Sequence, residues 1–401
     1  GTAAASVLRE IGGHSHFSGG PNRLGSPRPA LPPFPQTAAL NILHVGHSVD
    51  RVDLNVALAL PKAGHHLEVV ADPGSRAEQT LAAAGVPVHA FTFRNRLDFA
   101  ADRRIRDLLA TRPFDIVHAY TNRALSSVLR AVPRRNAPAI VAYRGTMGHL
   151  SWFDPASWMT YLHPRVDRIV CVSDAVRGYL RGMRIPERKL TVIHKGHDPA
   201  WYAGATRESL REFNFPPGAV IAGFVGNVRP VKGGDVLLRA MGRLPADSPL
   251  HLLLVGEIRD PVVTRLAAQP EIAARIRLTG FRTDATRLSG ACDLFAMPSI
   301  EREGLPKAAI EAMAQGVPPV VTRVGGMPEL VEDEVSGLVI PPLDDAALAE
   351  AFLRLAGDPG LRERLGAAAR RRIEGPFHIS HTIRKTLDLY KALRGSSAPR
   401  Q

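Results

Sequence analysis

Two carboxylates frame the segment Glu303-Gly304-Leu305-Pro306-Lys307-Ala308-Ala309-Ile310-Glu311. The Gly-Leu-Pro turn between them predicts a helix start with Pro306 at the first helical position, where a missing N–H costs nothing. The Ala-, Ile- and Met-rich run behind it extends to Gly316, a residue suited to stopping a helix. Free N–H groups and the helix dipole make such a start an anion site. Carboxylates are wrong for holding phosphate, but they accept hydrogen bonds from sugar hydroxyls. An anion-ready turn between two hydroxyl acceptors points to a sugar nucleotide.

A second block, Gly223-Phe224-Val225-Gly226-Asn227-Val228-Arg229-Pro230-Val231-Lys232-Gly233-Gly234, reads as a strand end, a Gly-containing loop and a helix start near Asp235. Arg229 and Lys232 fall at the turn. Cations there can bind a diphosphate, Arg by its fork and Lys as a point charge. No Gly precedes Lys232 and no Ser or Thr follows it, so the block is not a Walker A loop. The dinucleotide fingerprint G-x-G-x-x-G is absent here and after the first strand. Lys and Arg in a turn also suit a merely solvated loop. Recurrence with Glu303–Glu311 in one half of the chain favours a diphosphate site. A glycoside hydrolase using Glu303 and Glu311 is the competing enzyme reading. Its carboxyl groups should lie about 5–9.5 Å apart, whereas eight helical residues span about 12 Å.

The elements that must position these residues alternate between strand and helix. Leu40–Val45, His66–Ala71, Val86–Phe91, Asp115–Tyr120, Ala139–Tyr143, Arg168–Val172 and Leu190–His194 are short apolar strand candidates separated by helical patterns. After interruptions at Gly196, Pro199, Pro216 and Pro217, the series restarts. Its second set is Val220–Val225, Leu250–Val255, Ile276–Thr279, Leu294–Met297, Pro319–Thr322 and Leu338–Ile340. Asp344–Ala356, Leu361–Ile373 and Ile379–Leu393 read as closing helices. Short apolar strands between helices predict an α/β protein with two doubly wound parallel sheets. Ligands of such sheets bind beyond the carboxyl ends of the strands, so two facing domains make a cleft for two substrates.

The 401 residues suffice for two ordinary domains, and 45% hydrophobic with 22% charged residues is a globular composition. Only two cysteines occur, Cys171 and Cys292; both lie in or beside apolar runs and read as buried thiols in a reducing compartment. No Cys/His cluster has zinc-ligand spacing and no apolar run reaches the length of a membrane span. Residues 1–38, rich in Gly, Pro, Ser and His, lack a secretory apolar core and read as a disordered leader. The net charge of +13 is uneven, with +11 carried by residues 1–195. That basic half allows contact with anionic lipid or phosphorylated substrates, although a solvated Arg-rich surface fits equally. No nucleic-acid-binding motif accompanies it.

Taken together the motifs resemble the GT-B-fold retaining glycosyltransferases of family 4 (glycosyltransferase group 1), over roughly residues 40–393. Glu303 and Glu311 match the family's E-x7-E motif, and Gly226 through Gly233 resembles its G-x-L-x-P-x-K-G block. Asp293–Ser299, Gly316-Val317-Pro318, Gly325-Gly326-Met327-Pro328-Glu329-Leu330-Val331 and Gly337–Pro342 follow in order. The resemblance implies a leader (1–38), an acceptor domain (39–195) and a nucleotide-sugar donor domain (196–376). It also implies a C-terminal helix with a tail (377–401) packing back toward the first domain. It implies that Glu311 accepts the ribose hydroxyls and Glu303 those of the donor sugar. Backbone near Gly226, Gly304 and Leu305 would approach the donor, Arg229 and Lys232 would bind the diphosphate, and Gly280-Phe281-Arg282 would lie beside the base. His118 would contact the donor at the reacting centre.

The implied reaction needs no metal and no cofactor other than a nucleotide-sugar co-substrate, a UDP-sugar first. The implied acceptor is a glycan or lipid-linked hydroxyl of envelope synthesis, met in the cytoplasm or at the inner face of the membrane. Three positions depart from the pattern. Asn227 stands where the family has Arg, Gly46-His47-Ser48-Val49-Asp50-Arg51 lacks the usual Gly pair, and Arg144-Gly145 replaces His-Gly. Arg144–His149 is open to two readings, an acceptor or phosphate loop and a structural turn. The alternative function is a non-catalytic GT-B protein that binds a nucleotide sugar or glycan.

Overall fold

A computed structural model describes residues 39–47, 50–202 and 204–395. The expected leader (1–38), Ser48 and Val49 of the first loop, and the tail after Gly395 lie outside the described residues. Two parallel sheets form the frame. The first comprises β1 (Asn41–His47), β2 (His66–Ala71), β3 (Val88–Ala90), β4 (Ile116–Ala119), β5 (Ala139–Arg144), β6 (Arg168–Cys171) and β7 (Leu190–Val192), in the order β3-β2-β1-β4-β5-β6-β7. The second comprises β8 (Val220–Val225), β9 (Leu250–Val255), β10 (Ile276–Leu278), β11 (Leu294–Met297), β12 (Pro319–Thr322) and β13 (Leu338–Ile340), in the order β10-β9-β8-β11-β12-β13. Both sheets belong to one compact unit.

The strands are buried on both faces, as helix-covered parallel sheets require. Leu43, Val45, Val117 and Ile140 anchor the first core; Phe224, Leu252, Phe295 and Val320 anchor the second. Several helices begin where a short polar side chain accepts a backbone N–H: Asp50, Ser75, Thr121 and Ser173 in the first half and Asp344 and Asp358 in the second.

Strand order reverses between β1 and β4 in the first sheet and between β8 and β11 in the second. These switch points open a crevice at the carboxyl ends of the strands. The loops leaving β8 and β11 are those that carry Lys232 and Glu303.

β7 ends at Val192, two residues before the expected His194. The chain there turns into the crossing between domains, where the His194 carbonyl accepts from Thr382 Oγ1 at 2.7 Å. The helix Ile379–Gly395 then packs on the helix Arg51–Lys62 of the first domain. Its buried Tyr390 hydroxyl lies 3.0 Å from His44 Nε2 on β1 and 2.6 Å from His118 Nδ1 on β4. Among the described residues no helix is long and apolar enough to cross a membrane.

Candidate active site

The loop after β8 is held by its own backbone. Lys232 N–H donates to the Arg229 carbonyl at 2.8 Å, closing a 3₁₀ turn over Pro230–Lys232, and Gly233 follows with φ +66°. A Cβ on Gly233 would collide with the Pro298 carbonyl, so only glycine lets this loop lie against the segment after β11. Ile300 N–H donates to the Val231 carbonyl at 3.0 Å and fixes the two loops together. That register brings the Lys232 ammonium onto Glu303 Oε1 in a close ion pair. The same oxygen accepts from Ser299 Oγ at 2.9 Å, and Glu303 is buried.

The helix Lys307–Ala314 starts one residue later than expected. Pro306 has ψ 111° and occupies the N-cap rather than the first turn. A proline side chain cannot accept a hydrogen bond, so no side chain caps this start, and its N–H groups keep their affinity for an anion. Gly316, with φ +79°, closes the other end. Glu311 lies one face inward and is buried. Its Oε2 accepts from Thr286 Oγ1 at 3.0 Å, and Oε1 pairs with Lys307 Nζ at 3.3 Å. Glu303 and Glu311 therefore keep separate partners and do not form a carboxyl pair.

Other expected donor contacts are placed less directly. Arg229 and Asn227 are exposed at the mouth of the loop, and Arg229 has no ion pair among the described residues. Gly226 stands at the end of β8, its N–H donating to the Val255 carbonyl at 2.9 Å. Gly280 accepts from Gly256 N–H at 2.8 Å, next to Phe281, which is 72% exposed. Arg282 is held by acidic partners. Its guanidinium is committed to Asp284 at 2.9 and 3.0 Å and to Glu212 at 2.8 and 3.1 Å. Those hydrogen bonds, Asp284 first, hold the Arg282 pKa above its ordinary value.

On the first domain, His118 is 3% exposed inside β4, stacked on Tyr120 at 4.3 Å and bonded to Tyr390. It faces the C-terminal helix instead of an open rim. Arg144 holds its own loop. Its buried guanidinium bonds the carbonyls of Thr146 and Gly148 and lies 4.7 Å over the Tyr161 ring, so it closes a structural turn.

Two groups escaped the sequence reading. Lys195, taken only as a domain boundary, buries its ammonium 2.7 Å from Asp53, 3.4 Å from Asp50 and 4.7 Å over the Tyr143 ring. Burial disfavours its charge, but Asp53, Tyr143 and Asp50 outweigh that and raise its pKa. An Asp at a helix start with a second Asp three residues on was a visible signal; the lysine joining them, 142 residues away, was not. Nearby His197 is pushed down to about 3 by burial and stays neutral.

Glu329, quoted only within a motif, is the second. Its Oε2 accepts from Asp174 N–H at 2.7 Å and its Oε1 from Ala175 N–H at 2.8 Å, at the start of the first-domain helix Asp174–Gly182. His194 Nε2 lies 3.2 Å from Oε2. Asp174, His194 and Glu329 bring ligand-type atoms within 4.8 Å of one another, the arrangement nearest to a metal site among the described residues.

The two halves also meet backbone to backbone. A Cβ on Gly304 would collide with the Gly145 carbonyl, and one on Gly326 would collide with the Gly304 carbonyl and crowd Ser173. Arg302 Nη1 reaches His149 Nε2 at 3.2 Å. The donor-side loops thus abut the loops after β5 and β6.

Residues 206–372 match the family model described as glycosyl transferases group 1, and residues 49–201 match that of glycosyltransferase family 4. A D-inositol 3-phosphate glycosyltransferase of a Nocardioides species is 30% identical over 226 residues, covering 51% of this chain and 49% of that protein. Its counterpart from Streptomyces bingchenggensis is 33% identical over 226 residues, with 51% and 48% coverage. The chain thus spans about half the length of the curated relatives it matches. Among solved structures, a glycosyltransferase from Rickettsia africae superposes with TM-score 0.76 at 21% identity, over 90% of this chain and all of that one. Anabaena Alr3699/HepE in complex with UDP-glucose gives 0.70 at 19% identity, over 88% of this chain and all of that one. WaaG, a glycosyltransferase involved in lipopolysaccharide biosynthesis, gives 0.64 at 16%, over 87% and 99%.

Proposed function

We propose that this chain, which belongs to the GT-B glycosyltransferases of group 1, moves a sugar from a nucleotide-diphosphate sugar to an acceptor hydroxyl with retention of configuration. One observation carries the reading: Lys232 meets Glu303 beside an uncapped helix start, on the two loops that flank the switch point of the second sheet. A diphosphate entering there competes for the Lys232 ammonium and for the free N–H groups of the helix Lys307–Ala314. Glu303, relieved of its lysine, then accepts hydroxyls of the donor sugar. Glu311, already holding Thr286, accepts those of the ribose. Arg229 supplies a second cation at the mouth of the same loop.

In the reaction the bond from the anomeric carbon to phosphate oxygen breaks, and its electron pair leaves with the diphosphate. Lys232 and the helix N–H groups stabilise that developing charge, which is preorganised electrostatic catalysis. The acceptor oxygen attacks from the same face, and its proton passes to the departing phosphate. The abutting loops exclude water and hold the acceptor in line. We assign His118, enclosed by Tyr120 and Tyr390, to seating the C-terminal helix instead of to donor contact.

Alr3699/HepE, in complexes with UDP and UDP-glucose, supports a UDP-sugar as donor. The lipopolysaccharide role of WaaG supports an envelope glycan or lipid-linked acceptor. A thermal-shift screen against nucleotide sugars tests the donor: a ligand at 100 times its Kd adds about 2.7 kcal/mol. Stabilisation by none of them would refute the reading.

A further inference from the structure

We propose that Asp50, Asp53 and Lys195 form an acceptor subsite that takes uncharged hydroxyls and turns phosphate away. Such a subsite rests on glycosyl transfer, the proposed function, and names the chemistry of its acceptor. All three residues belong to the carboxyl edge of the first sheet. Asp50 and Asp53 follow β1, at the start of the helix Arg51–Lys62, and Lys195 follows β7. Their charges meet in space: Lys195 Nζ stands 2.7 Å from Asp53 Oδ2 and 3.4 Å from Asp50 Oδ2.

Contacts join this cluster to the donor loops. Lys195 Nζ lies 4.7 Å over the ring of Tyr143, near the end of β5. The Tyr143 hydroxyl lies against Gly145, where a Cβ would come within 2.9 Å of it, and the Gly145 carbonyl abuts Gly304, the neighbour of Glu303. An acceptor that meets a sugar held by Glu303 therefore has its next groups beside these residues. The side chains of Asp50 and Lys195 are 20% and 17% exposed, that of Asp53 only 8%. Asp53 thus supports the lysine from within, and the other two are within reach of a ligand. An ammonium has three N–H donors. Its approach to Asp53 is short and that to Asp50 is long, so Lys195 can still donate to an acceptor oxygen. Asp50 Oδ1 accepts from Val52 N–H at 2.8 Å, and a carboxylate has about four lone-pair sites, so a hydroxyl can donate to it as well. A donor beside an acceptor suits neighbouring hydroxyls of a sugar or polyol.

Charge decides what is refused. Two carboxylates against one ammonium leave a negative charge over. Burial would raise the Asp50 pKa, but Lys195 and the Val52 N–H more than offset it, so the carboxylate stays ionised. The flanking cations are engaged elsewhere: Lys307 pairs with Glu311 at 3.3 Å, and the Arg51 guanidinium lies 4.7 Å over the Trp201 ring. Nearby His197 is neutral. A lysine standing alone in the crevice would attract phosphate. With its charge committed to Asp53, it leaves a phosphate facing the excess carboxylate, whereas a hydroxyl finds a hydrogen-bond partner.

The test uses the full chain with UDP present and saturation-transfer NMR, with glucose and glucose 6-phosphate as probes. Wild type should bind glucose the more tightly. Asp50→Asn removes one negative charge and keeps a helix-capping side chain. It should raise the affinity for glucose 6-phosphate relative to glucose about ten-fold or more. Asp53→Asn should shift the ratio the same way, so a folding defect in one variant leaves the other as the measure. Asp344→Asn, at a helix cap of the second domain, should leave the ratio unchanged. A wild-type preference for glucose 6-phosphate, no sugar binding, or an unchanged ratio in the folded variants would each overturn the inference. UDP affinity is measured by calorimetry in the same samples. Intact UDP binding in those cases would spare the donor-site reading, whereas a wild type that binds no UDP would count against that reading whatever the sugars do.

Discussion

Glu329→Gln isolates the contact between the two halves. The wild-type carboxylate accepts two backbone N–H groups at 2.7 and 2.8 Å at the start of a nine-residue helix. Hydrogen bonds to a charged acceptor contribute about 1.5–3 kcal/mol, neutral ones about 0.5–1.5. Glutamine keeps one acceptor oxygen and presents an amide to the other N–H, and it loses about 0.5 kcal/mol of helix-dipole attraction. Its site is partly solvated, with 22% of the side chain exposed, so a net loss of about 2 kcal/mol is a fair expectation. That is about a thirty-fold shift toward separated faces. Small-angle scattering should report a larger radius of gyration, and KM for the acceptor should rise. UDP affinity, which the proposed function assigns to the second domain, should stay within about two-fold.

The pH dependence has a defined sign. Burial raises the Glu329 pKa, but His194 and the N–H groups of Asp174 and Ala175 more than offset it, so its folded value lies below the ordinary one. The contribution is therefore complete above the unfolded value of about 4.3 and is lost as pH falls through the folded value. Wild type should loosen only below about pH 4.3, and the glutamine variant should lack that step. A variant with wild-type radius, KM and acid profile would refute the reasoning.

Lys232→Ala should keep the fold and slow transfer by about 10²–10³, read as single-turnover kcat; wild-type turnover would remove it from the chemistry. Glu311→Ala should weaken UDP binding about ten-fold or more by calorimetry, as expected for a lost charged acceptor of hydroxyl hydrogen bonds. Tyr390→Phe removes the hydroxyl shared with His44 and His118 and should lower unfolding free energy by about 1–3 kcal/mol in urea, with UDP binding unaffected.

The second sheet was the more legible half. Val220–Val225, Leu250–Val255, Leu294–Met297 and Pro319–Thr322 have the observed bounds because each is a short apolar run ended by Gly, Pro or a polar residue. Lys232 and Glu303 were readable as one site because both follow strands of one sheet. Pro306 was misplaced by one position, since its ring is tolerated both at the N-cap and just after it. His118 carries a motif's residue type, yet its environment is set by Tyr390, 272 residues away. Lys195 and Glu329 were missed for the same reason: nothing local in the chain announces a partner that only the fold supplies.

The meeting of Gly304 with the Gly145 carbonyl has a mechanical meaning. A seam of bare main chain is a hard stop: it sets the nearest approach of the halves without help from any rotamer. Glu329 is a catch, acting on how long that approach lasts and hardly on how near it is. Distance and dwell time are thus set by different parts. A single methyl at Gly304 would hold the halves apart by about 1 Å, and misplacement on that scale costs about 10² in rate. Gly304→Ala should therefore lower kcat even with Glu329 intact, a loss that no added attraction across the seam could restore.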